Sequence, residues 1–108
     1  MAYETDTDYV RVMLDKPTLA HAAKELSTHN YKTLSDVVTR IAKRTKNNNV
    51  RLPAQTSDAL QELTKFGLAE RVYTGDFPTY RLTLDGRKTL EAYRQREKEF
   101  KAFSSARP

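Results

Sequence analysis

Apolar residues recur at intervals of three and four positions in five stretches of the chain, with polar residues between them. This spacing places the apolar side chains on one face of an α-helix. The clearest stretch carries Leu34, Val37, Val38 and Ile41. We therefore predict helices over residues 5–14, 17–27, 33–46, 53–66 and 86–103.

Between the last two predicted helices the pattern changes to alternation. Tyr80, Leu82 and Leu84 alternate with polar residues, which is typical of a half-buried strand. A second strand is predicted over 68–73, and the turn between the two strands contains Gly75, Asp76 and Pro78. The predicted fold is α+β and mostly helical. In detail it is a winged helix-turn-helix with a two-stranded wing at 68–84 and a long C-terminal helix at 86–103.

Residues with special backbone preferences lie at the predicted boundaries. Pro53 fits the first turn of a helix, and Gly67 is typical of a helix C-terminus. Asp85 is expected to cap the last helix, and residues 50–52 are expected to form a short extended link. The chain is therefore predicted to be one winged-helix domain over residues 1–103, followed by a flexible tail at 104–108.

The positive charge is concentrated where the predicted binding helices lie. The 108 residues carry a formal net charge of +5. Residues 1–30 have a net charge of −2, residues 31–65 of +4, and residues 66–108 of +3. Because a basic surface attracts polyanions, this distribution favours a nucleic-acid partner. The alternative is that modest basicity serves only solubility.

Targeting signals are missing from the sequence. No apolar run approaches the ~20 residues of a membrane span, so no membrane partner is expected. The acidic N-terminus lacks a signal-peptide pattern, and the absence of cysteine suits a reducing compartment. We expect a cytoplasmic protein, nucleoid-associated if the cell is prokaryotic.

The helix predicted at 53–66 is the expected recognition helix, because the second helix of a helix-turn-helix enters the major groove of DNA. Short polar side chains on its outer side can bond to base edges. Ordinary solvated helix residues are the alternative. The candidates for base readout are Gln55, Ser57, Asp58 and Gln61.

A cluster of cations precedes this helix, opposed only by Asp36 between residues 32 and 51. Cations spaced along a surface suit phosphate contacts, whereas a solvated helix face usually has mixed signs. The wing tip has no basic residue. Phe77 there could touch a protein partner or wedge between bases, but packing on the domain is the favoured expectation. The candidates for phosphate contact are Arg40, Lys43, Arg44, Lys46 and Arg51, with Arg71 and Arg81 on the strands of the wing.

The last helix has more aromatic residues than a free exposed helix needs. Its apolar stripe can pack on the opening helix of the same chain or on a second copy. Because two-fold dimers are the commonest oligomers and dimeric readers bind two half-sites, we expect a homodimer. The candidate dimerisation residues are Leu90, Tyr93, Phe100 and Phe103.

The sequence gives little support for catalysis, a metal or a cofactor. His21 and His29 have no third ligand in a recognisable spacing. The glycines at positions 67, 75 and 86 are explained by caps and turns rather than by a phosphate-binding loop. We therefore expect a protein that is not an enzyme, and the sequence identifies no small-molecule effector.

Residues from about 33 to 93 resemble the winged-helix transcriptional regulators of the MarR and PadR type. The resemblance is carried by Leu60, Leu63, Gly67-Leu68, Arg71, Tyr80-Arg81-Leu82-Thr83, Gly86-Arg87 and Leu90. Small basic winged-helix proteins of viruses and plasmids resemble the chain equally well. The resemblance implies a homodimer with a recognition helix at 53–66 and dimerisation through terminal helices.

These observations predict a sequence-specific double-stranded DNA-binding protein, which regulates transcription as a repressor. The main alternative is a winged-helix protein-interaction module or adaptor without direct DNA reading. The acidic N-terminal segment, the Phe77 tip and the aromatic last helix favour that alternative.

Overall fold

The computed structural model describes residues 2–46 and 49–105, with the side chains of 9–46, 49–73 and 75–99. Its fold is α+β and mostly helical, as predicted. Within the described residues the elements are α1 (Ala2–Asp15), α2 (Pro17–Glu25), β1 (Lys32–Thr33), α3 (Leu34–Thr45), α4 (Leu52–Lys65), β2 (Ala69–Thr74), β3 (Phe77–Leu82) and α5 (Leu84–Ser105).

The ends of α3 and α4 follow from local hydrogen bonding. The Thr33 hydroxyl accepts the Asp36 N–H at 3.2 Å and so caps α3. At the end of α4, Gly67 has φ +77°, where a side chain would be strained. The Leu68 N–H donates to the Leu63 carbonyl at 2.9 Å, and the Gly67 N–H donates to the Thr64 carbonyl. This Schellman arrangement confirms the predicted stop at Gly67.

The sheet has a third strand that the sequence did not predict. β1 pairs antiparallel with β3, with Lys32 opposite Tyr80 and Thr33 opposite Thr79. The strand order is β1-β3-β2, so the β2–β3 hairpin, which was predicted as a wing, is part of a three-stranded sheet. β1 is only two residues long and shows no alternation, so its sequence gives no strand signal.

Residues 49–52 form a turn that enters α4, so the extended segment predicted at 50–52 is wrong. The Asn49 side-chain oxygen accepts the Arg51 N–H at 2.8 Å, and the Asn49 carbonyl accepts the Leu52 N–H. This asparagine turn leads directly into α4, which begins at Leu52. α3 itself ends at Thr45, next to the predicted end at 46, and Asn47 and Asn48 lie outside the described residues.

Thr83, rather than Asp85, caps α5. The Thr83 hydroxyl accepts the Gly86 N–H at 3.0 Å and donates to the Gly67 carbonyl at 2.7 Å, which ties the start of α5 to the end of α4. A Cβ on Gly86 would overlap the Leu68 carbonyl oxygen. Glycine at position 86 therefore permits the close approach of α5 to Leu68, which directly precedes β2.

The core lies between the helices and one face of the sheet. α5 packs on α1 and α2, and α2 packs on α4. Tyr9 of α1 stacks on Phe66 with ring centroids 5.0 Å apart, which fixes α1 over the end of α4. The most deeply buried large side chains include Met13, Val37, Ile41, Leu60, Leu63 and Leu68.

Candidate nucleic-acid interface

The outer face of α4 is polar and exposed. Leu60 and Leu63 are fully buried on its inner side. Because an α-helix turns about 100° per residue, Asp58, Gln61 and Lys65 lie on the opposite side. All three are exposed. This face can therefore offer hydrogen-bonding groups to a large partner.

Ser57 and Gln55 are less central than predicted. Ser57 is half-buried, and its hydroxyl accepts a hydrogen bond from the Gln61 side-chain amide at 3.3 Å. Gln55 lies towards α2, in a groove of about 250 Å³ shared with Lys16 and Thr18. These two residues therefore flank the exposed face, with Asp58 and Gln61 near its centre.

A groove of about 510 Å³ separates α4 from the wing. It is lined by Asp58, Gln61, Glu62, Thr64, Lys65 and Arg71. Sequence reasoning did not include Lys65 among the site residues. Its place one turn beyond Gln61, in the last turn of α4, was the available signal. The groove brings Arg71 and two predicted base-reading residues to one surface.

Four predicted phosphate contacts are exposed cations around α3 and the start of α4. None of them forms an ion pair within the described part of the chain. Their charges are thus available to an external anion. These residues are Arg40, Lys43, Lys46 and Arg51.

Arg44 differs from the other predicted phosphate contacts on α3, because it is engaged within the fold. Its Nε donates to the Glu25 carboxylate at 2.5 Å, and its Nη2 donates to the His21 carbonyl at 3.2 Å. Its Nη1 lies 3.2 Å from His21 Nδ1. These contacts hold α3 against α2. We therefore assign Arg44 to the fold rather than to phosphate contact.

The contact with Arg44 favours the neutral protonation state of His21. A guanidinium can only donate, so the His21 Nδ1 accepts and the neutral imidazole fits this position. Burial, with the charges of Arg44 and Lys24, lowers the pKa of His21 from its ordinary value of 6.5. The nearby carboxylates of Glu97 and Glu25 oppose this shift without reversing it.

Arg81 and Arg71, both candidates for phosphate contact, lie on opposite faces of the β2–β3 hairpin. In the register of the wing, Glu70 is opposite Arg81 and Arg71 is opposite Tyr80. Since neighbouring residues of a strand point to opposite faces, the two arginines lie on opposite faces of the sheet. Only Arg71 faces the groove beside α4.

Arg81 is already occupied on its own face. Its Nη2 donates to the Glu70 carboxylate at 3.1 Å, and its guanidinium lies 4.8 Å from the centre of the Tyr31 ring. The Tyr31 hydroxyl donates to the same carboxylate at 3.0 Å. The bonds from Arg81 and Tyr31 lower the pKa of Glu70. This cluster joins the wing to the segment before β1.

Of the four candidate dimerisation residues on α5, two lie in the core and two have side chains that the structure does not describe. Leu90 is 6% exposed and Tyr93 is 7% exposed, so both are buried within one chain. Of the two arrangements predicted for α5, packing within the same chain is therefore the one that Leu90 and Tyr93 adopt. The side chains of Phe100 and Phe103 lie outside the described part.

Phe77 is 70% exposed, so the prediction that it packs on the domain is wrong. Gly75 and Asp76 form a two-residue turn between Thr74 and Phe77, with φ +68° at Gly75. Tyr73, near the same tip, is 64% exposed. The wing thus ends in two aromatic side chains.

The described residues contain no group of three His, Asp or Glu side chains placed to hold a metal ion. Across the same described part of the chain, no helix has the length and apolarity needed to cross a membrane. The sequence matches no protein-family model and no curated protein.

Proposed function

We propose that the chain is a winged-helix protein that binds double-stranded DNA sequence-specifically and represses transcription by occupying promoter DNA. The order helix, strand, helix, helix and hairpin supports this fold, as does the strand order β1-β3-β2. α3 and α4 correspond to the paired helices of a winged helix-turn-helix, so α4 is the proposed recognition helix. The resemblance to MarR- and PadR-type regulators points the same way.

The observation that carries the proposal is the pairing of an exposed polar face on α4 with neighbouring cations that have no ion-pair partner among the described residues. DNA binding needs both features, since phosphate contacts position a protein and base contacts specify the sequence. Asp58 can accept from a cytosine amino group, and Gln61 can bond to adenine. The phosphate contacts are assigned to Arg40, Lys43, Lys46, Arg51, Lys65 and Arg71.

A protein-interaction role is the second candidate, and the wing tip favours it. Phe77 and Tyr73 are 70% and 64% exposed, beside the acidic Asp76. Exposed aromatic side chains suit a protein interface. Salt-insensitive binding to a protein partner, together with no binding to DNA, would favour this candidate.

The proposal is tested by selecting binding sites from a pool of random duplexes and comparing affinity for selected and random DNA. Gln61→Ala is expected to lose about 1–3 kcal/mol of discrimination, with little change in binding to random DNA. Gln95→Ala changes an exposed glutamine on α5 and is the matched control. Equal loss on selected and random DNA would contradict base reading by α4.

A further inference from the structure

β2 forms an open edge of the sheet. The strand order β1-β3-β2 leaves its outer backbone groups unpaired within the described residues. Natural edge strands are commonly protected by charged side chains, especially lysine, by proline or by a bulge. β2 reads AERVYT and pairs with β3 in unbroken register, so it has no lysine, proline or bulge, and its two charged residues, Glu70 and Arg71, are of opposite sign. Val72 and Tyr73 on this strand are 38% and 64% exposed.

We infer that β2 pairs antiparallel with β2 of a second copy, about a two-fold axis at Val72. The two three-stranded sheets then form one continuous six-stranded sheet. This inference does not depend on the proposed DNA binding. It assigns a dimer surface that does not use the buried Leu90 and Tyr93.

The side chains of β2 select this register. A two-fold axis between antiparallel strands places one residue opposite its own copy. An axis at Glu70 would oppose two carboxylates, and an axis at Arg71 would oppose two guanidinium groups, both of which are unfavourable. An axis at Tyr73 would pair only residues 72–74 within β2. An axis at Val72 pairs residues 70–74 and opposes no like charges.

The same register makes Arg71 and Tyr73 complementary. Within one chain the Arg71 guanidinium lies 5.8 Å from the centre of the Tyr73 ring. With the axis at Val72, Arg71 of each copy stands directly opposite Tyr73 of the other copy. Side chains at directly opposed positions are about 4.5–5.5 Å apart at Cβ. Each interface therefore contains two cation–aromatic pairs and a central apolar contact.

Disulfide trapping tests the register without interference, because the chain has no cysteine. Directly opposed residues have Cα atoms about 4.5–5.5 Å apart, within the range that a disulfide bridges. Val72→Cys is expected to form a disulfide-linked dimer under mild oxidation. Leu84→Cys, at a position that is 70% exposed, is the control and should remain mostly monomeric. Equal trapping of the two variants would overturn the inference.

Sedimentation of the full chain in DNA-free buffer tests the surface independently. Tyr73→Lys places a cation opposite Arg71 of the other copy, and it should raise the dimer dissociation constant by at least about tenfold. Leu84→Lys should leave that constant unchanged. Tyr73 is largely exposed, so circular dichroism should report an unchanged fold. A wild-type monomer at every concentration, or a dimer unaffected by Tyr73→Lys, would refute the pairing.

Discussion

Replacing Arg40 and Lys43 together by glutamine removes two exposed cations of α3 that form no ion pair in the described part of the chain. The matched variant is Arg44→Gln, which removes one charge from the same helix. Arg44 is engaged by Glu25 and His21. The two variants therefore separate phosphate contact from net charge.

The expected magnitude follows from counterion release. Each phosphate contact contributes about 0.9 to the slope of log affinity against log salt concentration. The double variant should therefore lower the steepness of this slope by about 1.8. Arg44→Gln should leave the slope nearly unchanged. Its cost should be about 1 kcal/mol of folding free energy, since the Arg44 side chain is 37% exposed and solvent screens its ion pair.

The assay is fluorescence anisotropy with a random-sequence duplex over a salt series, accompanied by urea unfolding of each variant. We expect a flatter slope only for the double variant and reduced stability only for Arg44→Gln. A change of slope in Arg44→Gln about half as large as in the double variant, which removes twice the charge, would show that total charge, rather than these positions, determines binding. An unchanged slope in the double variant would refute the phosphate assignment of α3.

Two further predictions concern stability. Gly86→Ala should lower the free energy of unfolding by at least about 2 kcal/mol in urea titrations, because the new Cβ would clash with the Leu68 carbonyl. This clash outweighs the higher helix propensity of alanine. An equally stable variant would contradict this packing. The pKa of His21 is lowered, so the unfolded chain binds its proton more readily. Stability should therefore fall as the pH drops below 6.5. His21→Gln should weaken this pH dependence of stability. An unchanged pH dependence would exclude His21 as its source.

The helices could be predicted because their signal is local. Apolar spacing determines which face is buried, and Gly67 and Thr33 satisfy the ends of α4 and α3 through their immediate neighbours. β1 depends instead on pairing with Tyr80 and Thr79, more than 40 positions away in the sequence. Such a pairing leaves almost no trace in a two-residue strand.

The roles of individual arginines could not be predicted from charge patterning. Lys43 and Arg44 are adjacent, but a helix turns about 100° per residue, and this rotation directs Arg44 towards α2. Arg71 and Arg81 are separated by the strand register, which a composition argument does not contain. The basic character of the region was readable in the sequence, whereas the partner of each cation required the fold.

Binding of duplex DNA through α4 and the cations beside it can be measured by titrating the wild-type chain with a random-sequence duplex across a salt series, with light scattering in the same buffer. The six assigned phosphate contacts predict submicromolar binding at low salt and a slope of up to about −5. Absence of binding at low salt would contradict the proposed DNA binding.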